Sequence, residues 1–164
     1  MWGRGIAMVL VVVGVAACSV TGASHRRHPT FLVTHTSLGG IRLRDSEATV
    51  ERLYGHGRNL RQHGSRAFHY PAGLTVYYDP SAPESGVAMV EATSSRFHTA
   101  SGVHLGGSAR TLRSVTGLDC GVVSKTTAFS VRRVECLTHA YGPGLRFDLV
   151  GGKVVFLALV ERTN

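Results

Sequence analysis

The chain has 164 residues, enough for one compact domain or two small units sharing a core, and too few for a multidomain enzyme. Its 43% hydrophobic content is ordinary for a globular protein, but part of it is concentrated before Cys18, so less is left for a core. Lys and Arg number 18 against 10 Asp and Glu, yet the basic residues never run beyond the doublets Arg26-Arg27 and Arg132-Arg133, a pattern of solubilising charge that gives no support to nucleic-acid binding.

The first segment, MWGRGIAMVLVVVGVAACS, places Arg4 ahead of an apolar stretch from Ile6 to Val15. That is the architecture of a signal peptide. A bilayer-spanning helix needs roughly 20 apolar residues, and this run stops at Cys18 before polar Ser, Thr, His and Arg. Residues Val15-Ala16-Ala17-Cys18 resemble the lipobox of bacterial lipoproteins, an aliphatic and two small residues before a cysteine. The resemblance implies that residues 1–17 are removed and that Cys18 carries diacylglycerol. It also implies an envelope protein held on the extracytoplasmic side of the cell membrane. The physics of anchoring agrees, since one acyl chain binds a membrane only marginally and two or more hold stably. Only Arg4 of the 18 basic residues precedes Cys18, so a chain cut there keeps 17 basic against 10 acidic residues. Residues 18–37 then read as the lipidated cysteine and a tether, in which Phe31 to Val33 are able to dock as a short edge strand.

Beyond the tether the sequence matches itself at an offset of 62. Gly40-Ile41-Arg42-Leu43 aligns with Gly102-Val103-His104-Leu105, Ser46 with Ser108, Thr49 with Thr111, Val50 with Leu112, Leu53 with Val115 and Gly55 with Gly117. Ser46 is placed to cap a helix with Val50, Leu53 and Tyr54 on one face and Gly55 at its end. Ser108, Leu112, Val115 and Gly117 predict a second helix in the same way. Helices this short are marginal alone and need a sheet to lie on. Arg66 to Tyr70, the alternating Leu74, Val76 and Tyr78, and Val87 to Ala92 supply three strands of it. Val131 to Leu137, the alternating Leu145, Phe147 and Leu149, and Val154 to Val160 after the Gly151-Gly152 hairpin supply three more. The expected fold is α+β: tandem αβββ repeats over residues 38–95 and 96–164, with short helices on one antiparallel sheet.

The pattern Ile41-Arg42-Leu43, a serine-capped helix ending in Leu53-Tyr54-Gly55, then an aromatic strand and a hairpin, resembles the repeats of small exported bacterial proteins, namely the beta-lactamase inhibitor protein-like fold and the SmpA/OmlA type of outer-membrane assembly lipoprotein. The resemblance spans roughly residues 38–162 and implies a protein-binding role through a sheet surface or loops. It departs from those families at Arg44, where a glycine is usual, and in carrying a cysteine pair only in the second half.

Lipidation of Cys18 leaves Cys120 and Cys136, for which mutual pairing is the simplest assignment in an oxidising compartment. Such a bridge closes a loop of about 15 residues and contributes on the order of 3 kcal/mol. The nine histidines invite a metal site. His25, His28 and His35 fall in the tether, His56, His63 and His69 in or near the loop after the first helix, and His98, His104 and His139 in the second half. None follows an HxH or HExxH spacing, so no metal and no cofactor is assigned. No GxSxG elbow, phosphate loop or dinucleotide fingerprint occurs, and the turns Leu38-Gly39-Gly40 and Leu105-Gly106-Gly107-Ser108 read as structural lead-ins to the helices.

Of the aromatic residues Tyr54, Tyr70, Tyr77, Tyr78, Phe97 and Phe147, about half belong in the core. Tyr77, out of phase with Leu74, Val76 and Tyr78, is the one expected to be exposed, with Arg146 at the same phase in the second half. These two are the candidate partner-binding residues. The leading function is a non-catalytic module binding an envelope protein or polymer, the alternative an envelope hydrolase or metal-dependent enzyme using His and acidic residues, and the third a plain spacer.

Overall fold

The computed structural model describes residues 29–62, 65–79, 86–126, 131–138 and 142–162. The leader, Cys18, the first part of the tether, and His25, His28, His63 and His139 lie outside the described residues. The chain is mainly β, with eleven described strands, one α-helix and one 3₁₀ turn.

Two strands come first, β1 (Leu32–Thr34) and β2 (Ser37–Leu38). Residues 32–37, expected as tether, are therefore part of the folded body. β1 is not an edge strand: it lies between β2, with which it is antiparallel, and β7 (His98–Thr99), with which it is parallel. Val33, Leu38 and Ile41 commit this segment to the core, each almost wholly buried. Gly39 sits at φ 66, and a β-carbon there would stand 2.5 Å from the Tyr54 hydroxyl and 3.0 Å from the Phe97 ring. That hydroxyl donates to the Gly39 carbonyl and ties the small sheet to the helix that follows. Gly39→Ala is expected to lower stability by about 2 kcal/mol, combining a disfavoured φ with an overpacked contact; urea denaturation measures it.

Helix α1 (Glu47–Tyr54) has the predicted ends. The Ser46 hydroxyl accepts from the Thr49 N–H, Glu47 complements the positive helix start, and Gly55 at φ 76 closes the helix by donating to Glu51 O. Val50 and Leu53 form its buried face. In the approach to α1, Arg44 has φ 67, a left-handed backbone that costs a residue with a side chain about 1 kcal/mol. Two backbone bonds, Arg44 N–H to Val87 O at 2.7 Å and Val87 N–H to Asp45 O at 2.9 Å, hold that turn against the sheet.

The main sheet contains β3 (Arg58–Gln62), β4 (Ser65–Tyr70), β5 (Leu74–Tyr78) and β6 (Val87–Ala92), then β8 (Asp119–Thr126), β9 (Val131–Leu137), β10 (Gly142–Val150) and β11 (Lys153–Arg162). Its order is β3-β4-β5-β6-β11-β10-β9-β8, antiparallel throughout, so two four-stranded meanders meet along a β6–β11 seam. Each half thus has four strands where the sequence predicts three. The added strands, β3 and β8, are the outermost; an edge strand has a neighbour on one side only and tolerates polar residues such as those of RNLRQ.

The second predicted helix is a single 3₁₀ turn, Ala109–Ser114. Ser108 caps it, but the Thr111 and Ser114 hydroxyls donate to carbonyls three residues back, at 2.7 and 2.6 Å, and only Leu112 is buried. Local hydroxyl bonding and a single apolar anchor favour the tighter turn over an α-helix. Val115 and Gly117 consequently lie beyond it.

The small sheet, α1 and the 3₁₀ turn pack on one face of the large sheet. Val33, Leu38, Ile41, Val50, Phe97, Val103 and Leu112 from that layer meet Tyr70, Leu74, Val76, Tyr78, Val90, Leu145, Phe147, Leu157 and Leu159 from the strands in one continuous core. Cys120 and Cys136 face each other across β8 and β9 with their sulfurs at disulfide distance, as the sequence predicts.

Candidate functional site

The other face of the large sheet follows from the strand alternation. With Leu74, Val76 and Tyr78 in the core, Thr75 and Tyr77 face away from it. Register carries this phase across the molecule: Thr75 pairs with Glu91, Glu91 with Ala158, Ala158 with Arg146, and Arg146 with Leu137. A neighbouring row runs from Tyr77 to Met89 to Val160. The expectation that Tyr77 and Arg146 share a face of one sheet follows from this register. They are separated by β6 and β11, with Glu91 and Ala158 between them.

Neither residue stands free. Tyr77 is half-buried, contrary to its expected exposure: it sits on an interior strand, paired with Ala67 on β4 and Met89 on β6, and its hydroxyl is tied to a neighbour. Its hydroxyl donates to Glu91 Oε2 at 2.8 Å. Burial first, then the bond to Glu91 and that carboxylate's charge, push the Tyr77 pKa up to about 12. At neutral pH the phenol is therefore a fixed donor and not a base. Arg146 contacts Glu135 Oε2 at 2.7 Å and Asp148 Oδ1 at 3.2 Å, and its guanidinium lies 5.3 Å from the centre of the Phe156 ring. Arg133 also binds Asp148, with Nε 3.1 Å from Oδ2.

Asp148 is the least expected member. Its side chain is fully buried, yet it lies in phase with Arg146 on the side away from the core. Two guanidiniums roof it and satisfy its charge, which a buried carboxylate requires. Sequence reasoning missed Asp148, Glu135, Arg133 and Glu91; the period-2 spacing of Arg133, Glu135 and Leu137, and of Arg146 and Asp148, was the available signal. A depression of about 340 Å³ lies beside this network, lined by Met89, Leu137, Val160, Glu135 and Arg146. Glu161 also lines the depression and pairs with Arg44 at 2.7 Å, so Arg44, Arg133 and Arg146 stand against Asp148, Glu135 and Glu161 and the charges balance.

Of the described histidines, His98 and His104 face each other across an isolated β-bridge. His98 and His104 place Nδ1 2.8 Å from the carbonyls of Arg96 and Leu105, and His69 lies 3.4 Å from the Thr75 hydroxyl. His35 is in the turn between β1 and β2. Among the described residues no group of three or more His, Cys, Asp or Glu is placed to hold a metal ion. His56, just past α1, has Nδ1 2.8 Å from Glu51 Oε1, and this bond, with the Glu51 charge, raises its pKa above 6.5. Because the folded value is the higher one, the pair's contribution is present below pH 6.5 and disappears as pH rises through the raised value. An NMR titration of His56 is expected to show a midpoint above 6.5 that Glu51→Gln brings back down.

No described helix is long and apolar enough to cross a membrane. No protein-family model, no curated protein and no solved structure matches this chain, so a functional reading stands on its own residues.

Proposed function

We propose that the chain is a lipid-anchored cell-envelope protein, held by Cys18 on the extracytoplasmic side of the membrane, whose body binds another protein through the uncovered face of its large sheet. The observation that carries the binding part is the asymmetry of the sheet. One face bears α1, the 3₁₀ turn and the small sheet, while the other presents a depression in which Met89, Leu137 and Val160 sit among Glu135, Glu161 and Arg146, beside a half-buried tyrosine and with the arginine already fixed by its neighbours. Pre-ordered aromatic and arginine side chains next to aliphatic and methionine side chains are what protein interfaces favour. The balanced charge of that network suits a protein partner better than an anionic polymer, which would call for a surplus of cations. The catalytic alternative has less support, because no described histidine lines the depression and His56, paired with Glu51, is exposed just past α1.

The same proposal takes the two meanders as a duplicated unit. Support comes from positions 62 apart that serve alike: Ser46 and Ser108 both cap, Ile41 and Val103 are both fully buried, and Gly55 and Gly117 have φ of 76 and 72.

A photo-crosslinking side chain at Met89 in the full lipidated protein, activated in native membranes, tests the binding reading. A reproducible protein adduct is expected, reduced by about tenfold or more in Arg146→Glu, the scale of an interface anchor. No adduct, or one indifferent to Arg146→Glu, would contradict it.

A further inference from the structure

Phe31 and Leu32 are exposed by 36% and 40%, and with Val155 they are the large hydrophobic residues left open among the described ones. They are adjacent in the chain and sit where it enters the folded body, at the start of β1. Val33, the next residue, is buried, so the alternation of β1 turns Leu32 outward beside His98, its exposed partner on β7. Phe31 is held from two sides. The buried ring of Phe97 meets it edge-on at 5.3 Å, and the exposed Arg96 guanidinium lies 4.1 Å from its ring centre. An aromatic ring, an aliphatic side chain and a cation are thereby presented together at one rim of the small sheet.

Position in the chain says what this rim meets. Twelve residues separate Cys18 from Phe31. Whatever its conformation, a segment of that length spans at most about 45 Å, so an anchored Cys18 keeps this rim, the first part of the body the chain reaches, within that distance of lipid. That segment also carries the basic pair Arg26-Arg27. We infer that Phe31, Leu32 and Arg96 form a membrane-facing edge that docks on an anionic bilayer surface and fixes the orientation of the body above it. Aromatic and aliphatic side chains enter the headgroup boundary, and nearby cations are drawn to anionic lipid. The inference rests on the proposed lipid anchor and goes beyond it, since an anchor alone leaves the body free to tumble. With this edge down, orientation becomes a property of the protein.

The test uses the full chain, produced with its leader and extracted from membranes, with Trp2→Phe so that Phe31→Trp supplies the sole tryptophan. It is reconstituted into vesicles of phosphatidylglycerol and brominated phosphatidylcholine, and flotation is read alongside fluorescence. The expected result is co-flotation with a blue-shifted emission quenched by the brominated chains. Quenching should be lost in Arg96→Glu, whose charge reversal shifts the docked-to-undocked ratio by roughly thirtyfold on an anionic surface, and weakened when phosphatidylglycerol is left out. Leu32→Ser in the same background gives the same loss without altering charge. A protein that floats but stays unquenched overturns the docking and leaves the anchor standing. Quenching that ignores Arg96→Glu, Leu32→Ser and phosphatidylglycerol reports nearness through the anchor only and also overturns docking. A protein that does not float removes the anchor, and the docking with it.

Discussion

Cys18→Ala is expected to move the protein from the membrane fraction to the soluble fraction. The proposed anchor supplies two or more acyl chains, and each buried methylene contributes about 0.8 kcal/mol, so partitioning should fall by more than about 10⁴-fold. The apolar stretch Ile6 to Val15 falls well short of the roughly 20 residues a spanning helix requires, and the contacts of Phe31, Leu32 and Arg96 are too few to hold the protein alone. Ultracentrifugation of cell membranes, with the protein followed by antibody, reads the outcome. A variant that stays fully membrane-bound would show that something other than the Cys18 thiol holds it.

The second large effect concerns the seam. β6 and β11 share three paired positions, Glu91 with Ala158, Val90 with Leu159 and Met89 with Val160, against nine between β10 and β11. Of these, Val90 and Leu159 point into the core and are wholly buried. Leu159→Ala is therefore expected to remove about 2–5 kcal/mol, the usual range for truncating a buried leucine, including the cavity left behind. Chemical denaturation measures it. Because the core runs unbroken from Val76 through Val90 and Leu159 to Phe147, both meanders should unfold in a single transition, in the variant as in the parent. Two separate transitions would mean that the halves are independent and that the seam carries little.

What was legible in the sequence was what depends on neighbours along the chain. The ends of α1 follow from Ser46 and Gly55, its buried face from Val50 and Leu53, and β5 from the alternation of Leu74, Val76 and Tyr78. The pairing of Cys120 with Cys136 followed from assigning the third cysteine, Cys18, to lipid. What was not legible depends on neighbours across the sheet. β3 and β8 lacked an apolar pattern because each is bounded on one side only. The 3₁₀ turn at Ala109–Ser114 has the same serine cap as α1 and a buried leucine where α1 has Val50, and differs through hydroxyls that bond backward along the turn. Tyr77 and Arg146 could be put on one face by counting residues. The burial of Asp148 under Arg133 and Arg146, and the bond from Tyr77 to Glu91, arise from cross-strand register, which no local stretch encodes. Residues 32–37 misled because their polarity suits a tether, while buried Val33 alone among them ties the segment to the core.

The intact mass of the natural protein, purified from its own membranes, tests the central claim most directly. The account predicts a chain beginning at Cys18, heavier than its amino-acid sequence by at least a diacylglycerol and lighter by two hydrogens for a closed Cys120–Cys136 bridge. A chain beginning at Met1, or one beginning near residue 18 with no acyl mass, would contradict it.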